Sequence, residues 1–179
     1  MMHFIFLAAQ DYFINFFISL IASTGFLVLL IILYRPSIRI SNRICLEKKD
    51  DKHIYVFKIV NMSIYNAYNC SFTLVRKTPY IIENNKVNYN LEKLKLTAQS
   101  FHSISGRKRK KDFGEHAILI ASYEDLSLDI DNENLSYELS VTCKHGFSNL
   151  SRVFKVSFES SETFHQGSFR FGSNLGVIH

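Results

Sequence analysis

The sequence is short of the motifs on which most enzymes depend. It has only seven glycines, and none of them forms the GxGxxG or GxxxxGK[ST] pattern that holds phosphate groups. The seven histidines show no HxxxH spacing, no His–Cys cluster suggests zinc, and no GxSxG motif is present. No residue set supplies a nucleophile, a base and a group that orients the base. We therefore expect a protein that is not an enzyme and that holds no cofactor or metal.

Cysteine is also scarce. The chain has three cysteines, an odd number, and no CxxC pair. A secreted disulfide framework usually shows an even number, so this usage favours a reducing compartment. Cys70 and Cys143 fall within alternating apolar runs, which predicts that they are small core residues.

Lysine and arginine are missing from the first 34 residues, and an apolar run lies there instead. Residues 12–34 contain no charge in 23 positions. A helix of that length measures about 35 Å, enough to cross a hydrocarbon core of about 30 Å. A cleaved signal peptide is the alternative. It fits less well, because no basic residue precedes the run, the run is long, and no small-x-small cleavage site follows it.

The basic residues predict the orientation of this helix. All 21 lysines and arginines follow residue 34. The positive-inside rule then places the C-terminal side in the cytoplasm and residues 1–11 on the non-cytoplasmic side. The membrane that we expect is the cell (inner) membrane. We expect a transmembrane helix over 12–34, a basic juxtamembrane segment over 35–52 and a cytosolic domain over 53–179.

Beyond the helix, a period of two dominates the apolar pattern, which is typical of β-strands. In one run Tyr55, Phe57 and Ile59 alternate with Lys58. Further runs follow around 68–74, 87–96, 135–143 and 154–158, the last two joined by a hairpin loop. Residues 116–123 are almost wholly apolar, as in a strand buried on both faces, and 97–115 resemble an exposed loop. Six to eight short strands predict a mainly β domain, either a sandwich or a small barrel.

Five consecutive bases form the clearest charged feature: Arg107, Lys108, Arg109, Lys110 and Lys111. They could be a solvated loop, or they could contact anionic lipid or an acidic partner. Nucleic acid is disfavoured, because no aromatic residues interleave the run. With Arg35 and Arg39, which follow the membrane helix, they are our candidates for contact with anionic membrane lipid or a partner.

A polar stripe runs along the predicted membrane helix. Asn15, Ser19 and Ser23 recur at every fourth position and so lie on one face. Asn in hydrocarbon needs a partner, and small residues let helices approach closely, so the stripe predicts a self-association surface and a homo-oligomer. The alternative is that the hydroxyl side chains bond back to their own helix.

The order of these features resembles one family. The membrane helix, Arg35-Pro36 and the stretch ISNRICLEKKDDKHIYVFKIVNMSIYNAYNCSFTLV are similar to the start of the cytoplasmic domain of inward-rectifier potassium channels. The later stretches YELSVTCKHGFSNLSRVFKVSFE and GSFRFG are similar to its late hairpin and following strand. The resemblance implies an immunoglobulin-like β-sandwich, assembly into cyclic oligomers, and contact of Arg35 with anionic lipid.

The chain departs from that family in the membrane. It has no TxGY/FG selectivity filter, no pore helix and no first membrane helix, so it does not encode a potassium-selective pore. The leading hypothesis is therefore a membrane-anchored, self-associating binding or assembly module. The alternatives are a ligand-gated pore-forming or membrane-perturbing effector, and a small accessory or immunity protein of another membrane protein.

Overall fold

The computed structural model describes residues 2–35, 37–49, 52–82, 86–107, 114–126, 135–145, 150–159 and 161–178. The chain divides into two compact units, Met1–Arg35 and Pro36–His179. We call the second unit the β body.

The first unit is one α-helix, α1, which runs from Met2 to Tyr34. It begins ten residues before the predicted start at residue 12, so residues 2–11 belong to the same helix. Its segment Tyr12–Ile32 is long and apolar enough for a membrane span or a signal sequence. The prediction of one N-terminal apolar helix is confirmed.

The described part of the β body contains twelve strands. They are β1 (Ile38–Ile40), β2 (Ile44–Lys49), β3 (Lys52–Asn61), β4 (Ala67–Ile82), β5 (Lys86–Leu94), β6 (Ser100–Ile104), β7 (Ala117–Ser122), β8 (Ser136–His145), β9 (Ser151–Phe158), β10 (Phe164–Gln166), β11 (Ser168–Phe169) and β12 (Val177–Ile178). The mainly β class predicted from the alternating pattern is confirmed.

The first sheet is built around β3. On one edge of β3 lie β1 and β2, one after the other, and on the opposite edge lies β7, all antiparallel to it. Strand β10 pairs with the outer edge of β2 in parallel. Along β3, Tyr55, Phe57 and Ile59 face the core, as their alternation predicts.

The second sheet is built around β4. One edge of β4 pairs first with β6 and then with β5, and the other edge pairs with β8, which in turn pairs with β9. The 16-residue β4 is longer than its neighbours, so its last residues and the start of β5 extend past β8 as a two-stranded arm.

One hydrophobic core lies between the two sheets. The first sheet contributes Phe57 and Ile59, and the second contributes Phe72 and Leu139. The rings of Phe57 and Phe158 approach to 5.7 Å between centroids across this core. Burying side chains of this size stabilises the fold by roughly 1.5–3 kcal/mol each.

A smaller cluster lies on the other face of the first sheet. There Cys45, Ile54 and Val56 pack with Phe169, and Val177 packs against them. Phe169 and Val177 belong to residues 167–178, which we call the C-terminal cover. This sheet is therefore packed on both faces over part of its area.

Within the β body, the sequence-based expectations differ from the structure in three places. Strands β1 and β2 lie inside 35–52, so the sheet begins before the expected boundary at residue 53. Strand β6 lies inside 97–115, which we expected to be a loop; only Ile104 of this strand is buried. Strand β7 is not buried on both faces, because Leu119, which pairs with Lys58 on the outer face of the sheet, is 54% exposed.

Candidate functional site

The basic run begins beside the start of the β body. The carbonyl of Ser37 accepts a hydrogen bond from the Met62 amide at 2.7 Å, and the carbonyl of the adjacent Ser63 accepts one from the Arg107 amide at 2.7 Å. Two neighbouring residues of the β3–β4 connection thus hold Ser37 and Arg107 at one place. We call this place the Ser37 end.

A buried asparagine organises the Ser37 end. Asn61 is fully buried, and its Oδ1 accepts hydrogen bonds from the Ser63 amide at 3.1 Å and the Ser63 hydroxyl at 2.6 Å. Its Nδ2 donates to the carbonyls of Tyr65 at 2.8 Å and Ile104 at 3.2 Å. This one side chain therefore fixes the β3–β4 connection against the end of β6.

A glycine allows the backbone at the Ser37 end to pack closely. A Cβ atom on Gly106 would lie 2.3 Å from the carbonyl oxygen of Ile64. The Gly106 amide donates to Oδ1 of Asn66 at 2.9 Å. The path of the chain into Arg107 therefore depends on the missing side chain.

The structure brings only some of the predicted contact residues together. Arg39 lies in β1, and Arg107 lies three residues after the end of β6; both are exposed and both lie near the Ser37 end. Arg35 is exposed at the end of the first unit. The remaining members of the basic run, Lys108, Arg109, Lys110 and Lys111, lie outside the described residues.

The polar stripe of α1 is exposed in the single chain. The side chains of Asn15, Ser19 and Ser23 are all exposed. The Ser23 hydroxyl donates to the carbonyl of Leu20 at 3.0 Å, as does the Thr24 hydroxyl at 2.8 Å. The Ser23 hydroxyl is therefore hydrogen-bonded within its own helix and needs no partner helix in an apolar medium. The small size of Ser23 still allows a second helix to approach closely.

An exposed apolar surface on the arm was not predicted. Residues Pro79, Ile81, Val87, Tyr89 and Leu91 share one face of the β4–β5 pair, as their register shows. All but the half-buried Pro79 are exposed, and Ile81 reaches 76% exposure. We call these five residues the arm face. The signal was present as PYII followed by VNYNL, but alternation alone does not distinguish a core face from an uncovered one.

Charged residues border the arm face where the arm joins the sheet. Glu138 forms ion pairs with Lys77 and, at 2.8 Å, with Lys155. Hydrogen bonds from Lys155 and Lys77 lower the pKa of Glu138 to about 2. Three strands, β4, β8 and β9, are thus connected by one carboxylate on the outer face of the second sheet.

A buried lysine lies beneath the C-terminal cover. Lys58 is only 2% exposed, and its Nζ donates to the carbonyls of Arg170 and, at 2.8 Å, Asn174. The Nζ atom also lies 6.0 Å from the centre of the Phe169 ring. Burial lowers the pKa of Lys58. The sequence pattern had identified this residue only as the polar partner in an alternating strand.

Lys58 also borders a cavity of about 270 Å³, which we call the Lys58 cavity. The described residues that line it are mostly apolar or small: Lys58, Gly114, Ala117, Leu119, Phe169, Arg170, Phe171 and Gly172. None of them is acidic. The cavity therefore combines one buried cation with an apolar wall.

The three thiols are buried. Burial raises the pKa of Cys45 to about 11. A hydrogen bond with Cys70, together with burial, raises the pKa of Cys143. Cys70 and Cys143 both belong to the core, as their alternation predicts.

No group of three or more His, Cys, Asp or Glu side chains among the described residues could hold a metal ion. Comparison with known proteins adds no family: no protein-family model matches this chain, and no curated protein matches it.

Proposed function

We propose that this chain is a membrane-anchored, non-enzymatic assembly module that binds further copies of itself. In this proposal α1 crosses the membrane and the β body lies on the cytoplasmic side. The observation that carries the proposal is the arm face, a set of apolar side chains that no described residue covers. Monomeric soluble proteins rarely expose contiguous apolar surface without a partner.

The composition of the arm face favours a second copy as its partner. Two identical apolar faces match each other in chemistry, and the lysines and Glu138 beside them provide charges of both signs for the rim. An anchor in the same membrane raises the effective concentration of copies, so weak contacts along α1 and the arm would reinforce each other.

Charge at the Ser37 end supports the orientation and a lipid contact. The chain passes from α1, which ends at Tyr34, into Ser37 through Arg35 and Pro36. The hydrogen bonds at the Ser37 end place Arg107, the first residue of the basic run, near Ser37. Each base near an anionic cytoplasmic leaflet contributes roughly 1 kcal/mol, so the run would hold this end against the membrane surface.

The immunoglobulin-like sandwich belongs to the same proposal. Two sheets that enclose one core, each built around a long central strand, support it. Kinship with the cytoplasmic domain of inward-rectifier channels would add a cyclic arrangement of copies to the paired contacts described above.

The mass of the purified chain in detergent tests self-association. We expect an oligomer whose mass falls in the double variant Ile81→Lys/Leu91→Lys, and falls separately in Ser19→Leu/Ser23→Leu. Val153→Lys is the matched control, because Val153 is a half-exposed residue on the outer face of the same sheet. A monomeric wild-type chain, or an oligomer that neither double variant changes, would contradict the proposal.

Lipid contact is tested in nanodiscs with and without anionic lipid. Hydrogen exchange of the backbone amides at 107–111 should slow when anionic lipid is present and recover at high salt. Replacing Lys108, Arg109, Lys110 and Lys111 with Gln should remove the difference. Equal exchange rates in both kinds of nanodisc would count against a lipid-binding role.

A further inference from the structure

The position of Lys58 beneath the C-terminal cover is costly unless its charge is compensated. A lysine that is 2% exposed has left water, and removing an ammonium group from water is expensive. Two carbonyl oxygens, those of Arg170 and Asn174, accept hydrogen bonds from its Nζ. They satisfy two N–H bonds, but they bring no negative charge.

The third N–H bond of Lys58 remains available. An ammonium group has three donors, and within the described part of the chain only the two carbonyls accept from it. No carboxylate among the described residues pairs with Lys58, and none lines the Lys58 cavity. The cavity thus presents a buried donor and a positive charge that the described chain leaves without a counter-ion.

We infer that the Lys58 cavity binds a small carboxylate with an apolar body. The carboxylate would accept the third N–H bond of Lys58 and neutralise its charge, and hydrogen bonds between two ionised groups are stronger than those between neutral groups. The apolar body would lie against Leu119, Phe169 and Phe171, which supply the hydrophobic wall.

The size of the Lys58 cavity limits the ligand. A volume of about 270 Å³ falls just below the range of roughly 300–1,000 Å³ that is typical of pockets for drug-sized molecules. The ligand is therefore a compact molecule, such as one carrying a single ring or a short chain. Two phenylalanine rings in the wall make a planar aromatic body a good match.

Benzoate and benzamide form a matched pair of probes for this site. They have nearly the same shape, but only benzoate is charged. Binding is measured by ligand-detected nuclear magnetic resonance on the full chain in detergent. Because a hydrogen bond to a charged partner is markedly stronger than a neutral one, we expect benzoate to bind at least about tenfold more tightly than benzamide. Equal affinity for the two would overturn the inference.

Inorganic phosphate forms the second arm of the experiment. It carries negative charge without an apolar body, so it should neither bind detectably at the concentrations that saturate with benzoate nor displace benzoate. Phosphate that competes fully with benzoate would show a general anion site and would overturn the part of the inference that concerns the apolar wall.

Two variants locate the binding. Lys58→Met keeps the length of the side chain and removes its charge, and should weaken benzoate binding at least about tenfold. Should that variant fail to fold, Leu119→Trp tests whether benzoate binds in this cavity, because the larger side chain would fill it. Leu119 is 54% exposed, so we expect this change to leave the fold intact. Val153→Trp, at a position that is 52% exposed on the other sheet, is its control. Benzoate binding that survives Leu119→Trp unchanged would exclude this cavity as the site.

Discussion

The side-chain amide of Asn61 donates to the backbone carbonyl of Ile104 at 3.2 Å, and this hydrogen bond connects the two sheets at the Ser37 end. Asn61 closes β3 in the first sheet, whereas Ile104 closes β6 in the second. The Asn61 side chain is fully buried, and it also bonds to the carbonyl of Tyr65 and to the amide of Ser63 in the β3–β4 connection.

Replacing this residue tests its role. Asn61→Ala should lower the free energy of unfolding by about 2–4 kcal/mol, because it removes the hydrogen bonds that a fully buried side chain makes to the carbonyls of Tyr65 and Ile104 and to the amide of Ser63. The measurement is urea unfolding of the full chain in detergent, followed by tyrosine near-ultraviolet circular dichroism. Asn88→Ala is the control. Asn88 is exposed and its Nδ2 donates to the Tyr80 hydroxyl, so its loss should cost about 0.5 kcal/mol or less. Equal effects of the two variants would show that Asn61 does not hold the sheets together.

A second stability prediction concerns Gly106. Gly106→Ala should cost about 2 kcal/mol or more, because the new Cβ would lie 2.3 Å from the backbone oxygen of Ile64, and the backbone there cannot move without breaking the neighbouring hydrogen bonds. Gly114→Ala is the matched control. Among the described residues, the atoms nearest to its Cβ would belong to the ring of Phe171, which is 71% exposed and can turn aside. The same urea titration compares them, and a Gly106→Ala chain as stable as Gly114→Ala would refute the close approach.

The stability of the β body should depend on the ionisation of Glu138. Its pKa in the folded chain is about 2, below the ordinary value of 4.5. A lowered carboxyl pKa means that the stabilisation is complete above pH 4.5 and is lost as the pH falls towards 2. We expect Glu138→Gln to cost about 1–2 kcal/mol at pH 7, less than the full linkage value because Lys155 is exposed to solvent.

The pH series itself supplies the check on Glu138. The difference in unfolding free energy between the wild-type chain and Glu138→Gln should shrink as the pH falls from 4.5 to 2 and vanish only below about pH 2, the folded-state pKa of Glu138. Glu92→Gln serves as the comparison, since Glu92 pairs with Arg76 at 3.2 Å but is itself largely exposed. A constant difference for Glu138→Gln across this pH range would mean that charge is not the cause.

The thiols provide a prediction about reactivity. In the folded chain at about pH 8 and under reducing conditions, Cys45, Cys70 and Cys143 should react with iodoacetamide at least about tenfold more slowly than an exposed thiol, because all three are buried and burial raises the pKa of Cys45 to about 11. Asn42→Cys places a reference thiol at an exposed position. Mass spectrometry counts the modified sites before and after urea. Rapid native labelling of all three thiols would contradict the packing of both hydrophobic clusters.

The proposed orientation predicts the outcome of protease treatment. Protease added outside intact cells should leave the β body undigested, and protease added to inverted membrane vesicles should digest it. The recovered chain should also retain Tyr12–Ile32, which distinguishes a membrane span from a cleaved signal sequence. Digestion of the β body from outside would contradict the proposed orientation. A mature chain that lacks this segment would contradict the membrane anchor.

The elements that follow from local pattern could be predicted from the sequence. An uncharged run predicted α1, and strict alternation predicted the core faces of β3, β8 and β9. Strand β6 could not be predicted in this way, because Ile104 is its only buried residue and a single buried residue gives no alternating pattern. Strand β6 forms because its backbone hydrogen-bonds to the edge of β4. That edge exists only in the folded chain.

The candidate sites depend even more on contacts between distant residues. The pattern around Lys58 predicts an outward-facing polar residue, and it does lie on the outer face of its sheet. It is buried because residues more than 110 positions later lie over that face, and no local signal reports this. The arm face shows the opposite situation: its apolar alternation predicts burial, yet it continues the outer face of the second sheet, on the side of Glu138, and no described residue covers it.

The length of β4 fixes a distance on the surface of the molecule. Ala67, at the start of the strand, pairs with Ile104 at the Ser37 end, and Ile82 closes the arm, so the two ends stand about 50 Å apart at a rise of about 3.3 Å per residue. Strand β4 is paired on both edges along most of its length, so the separation between its two ends is fixed. A ligand that touched both ends at once would have to be at least that long, so the two surfaces are suited to separate partners.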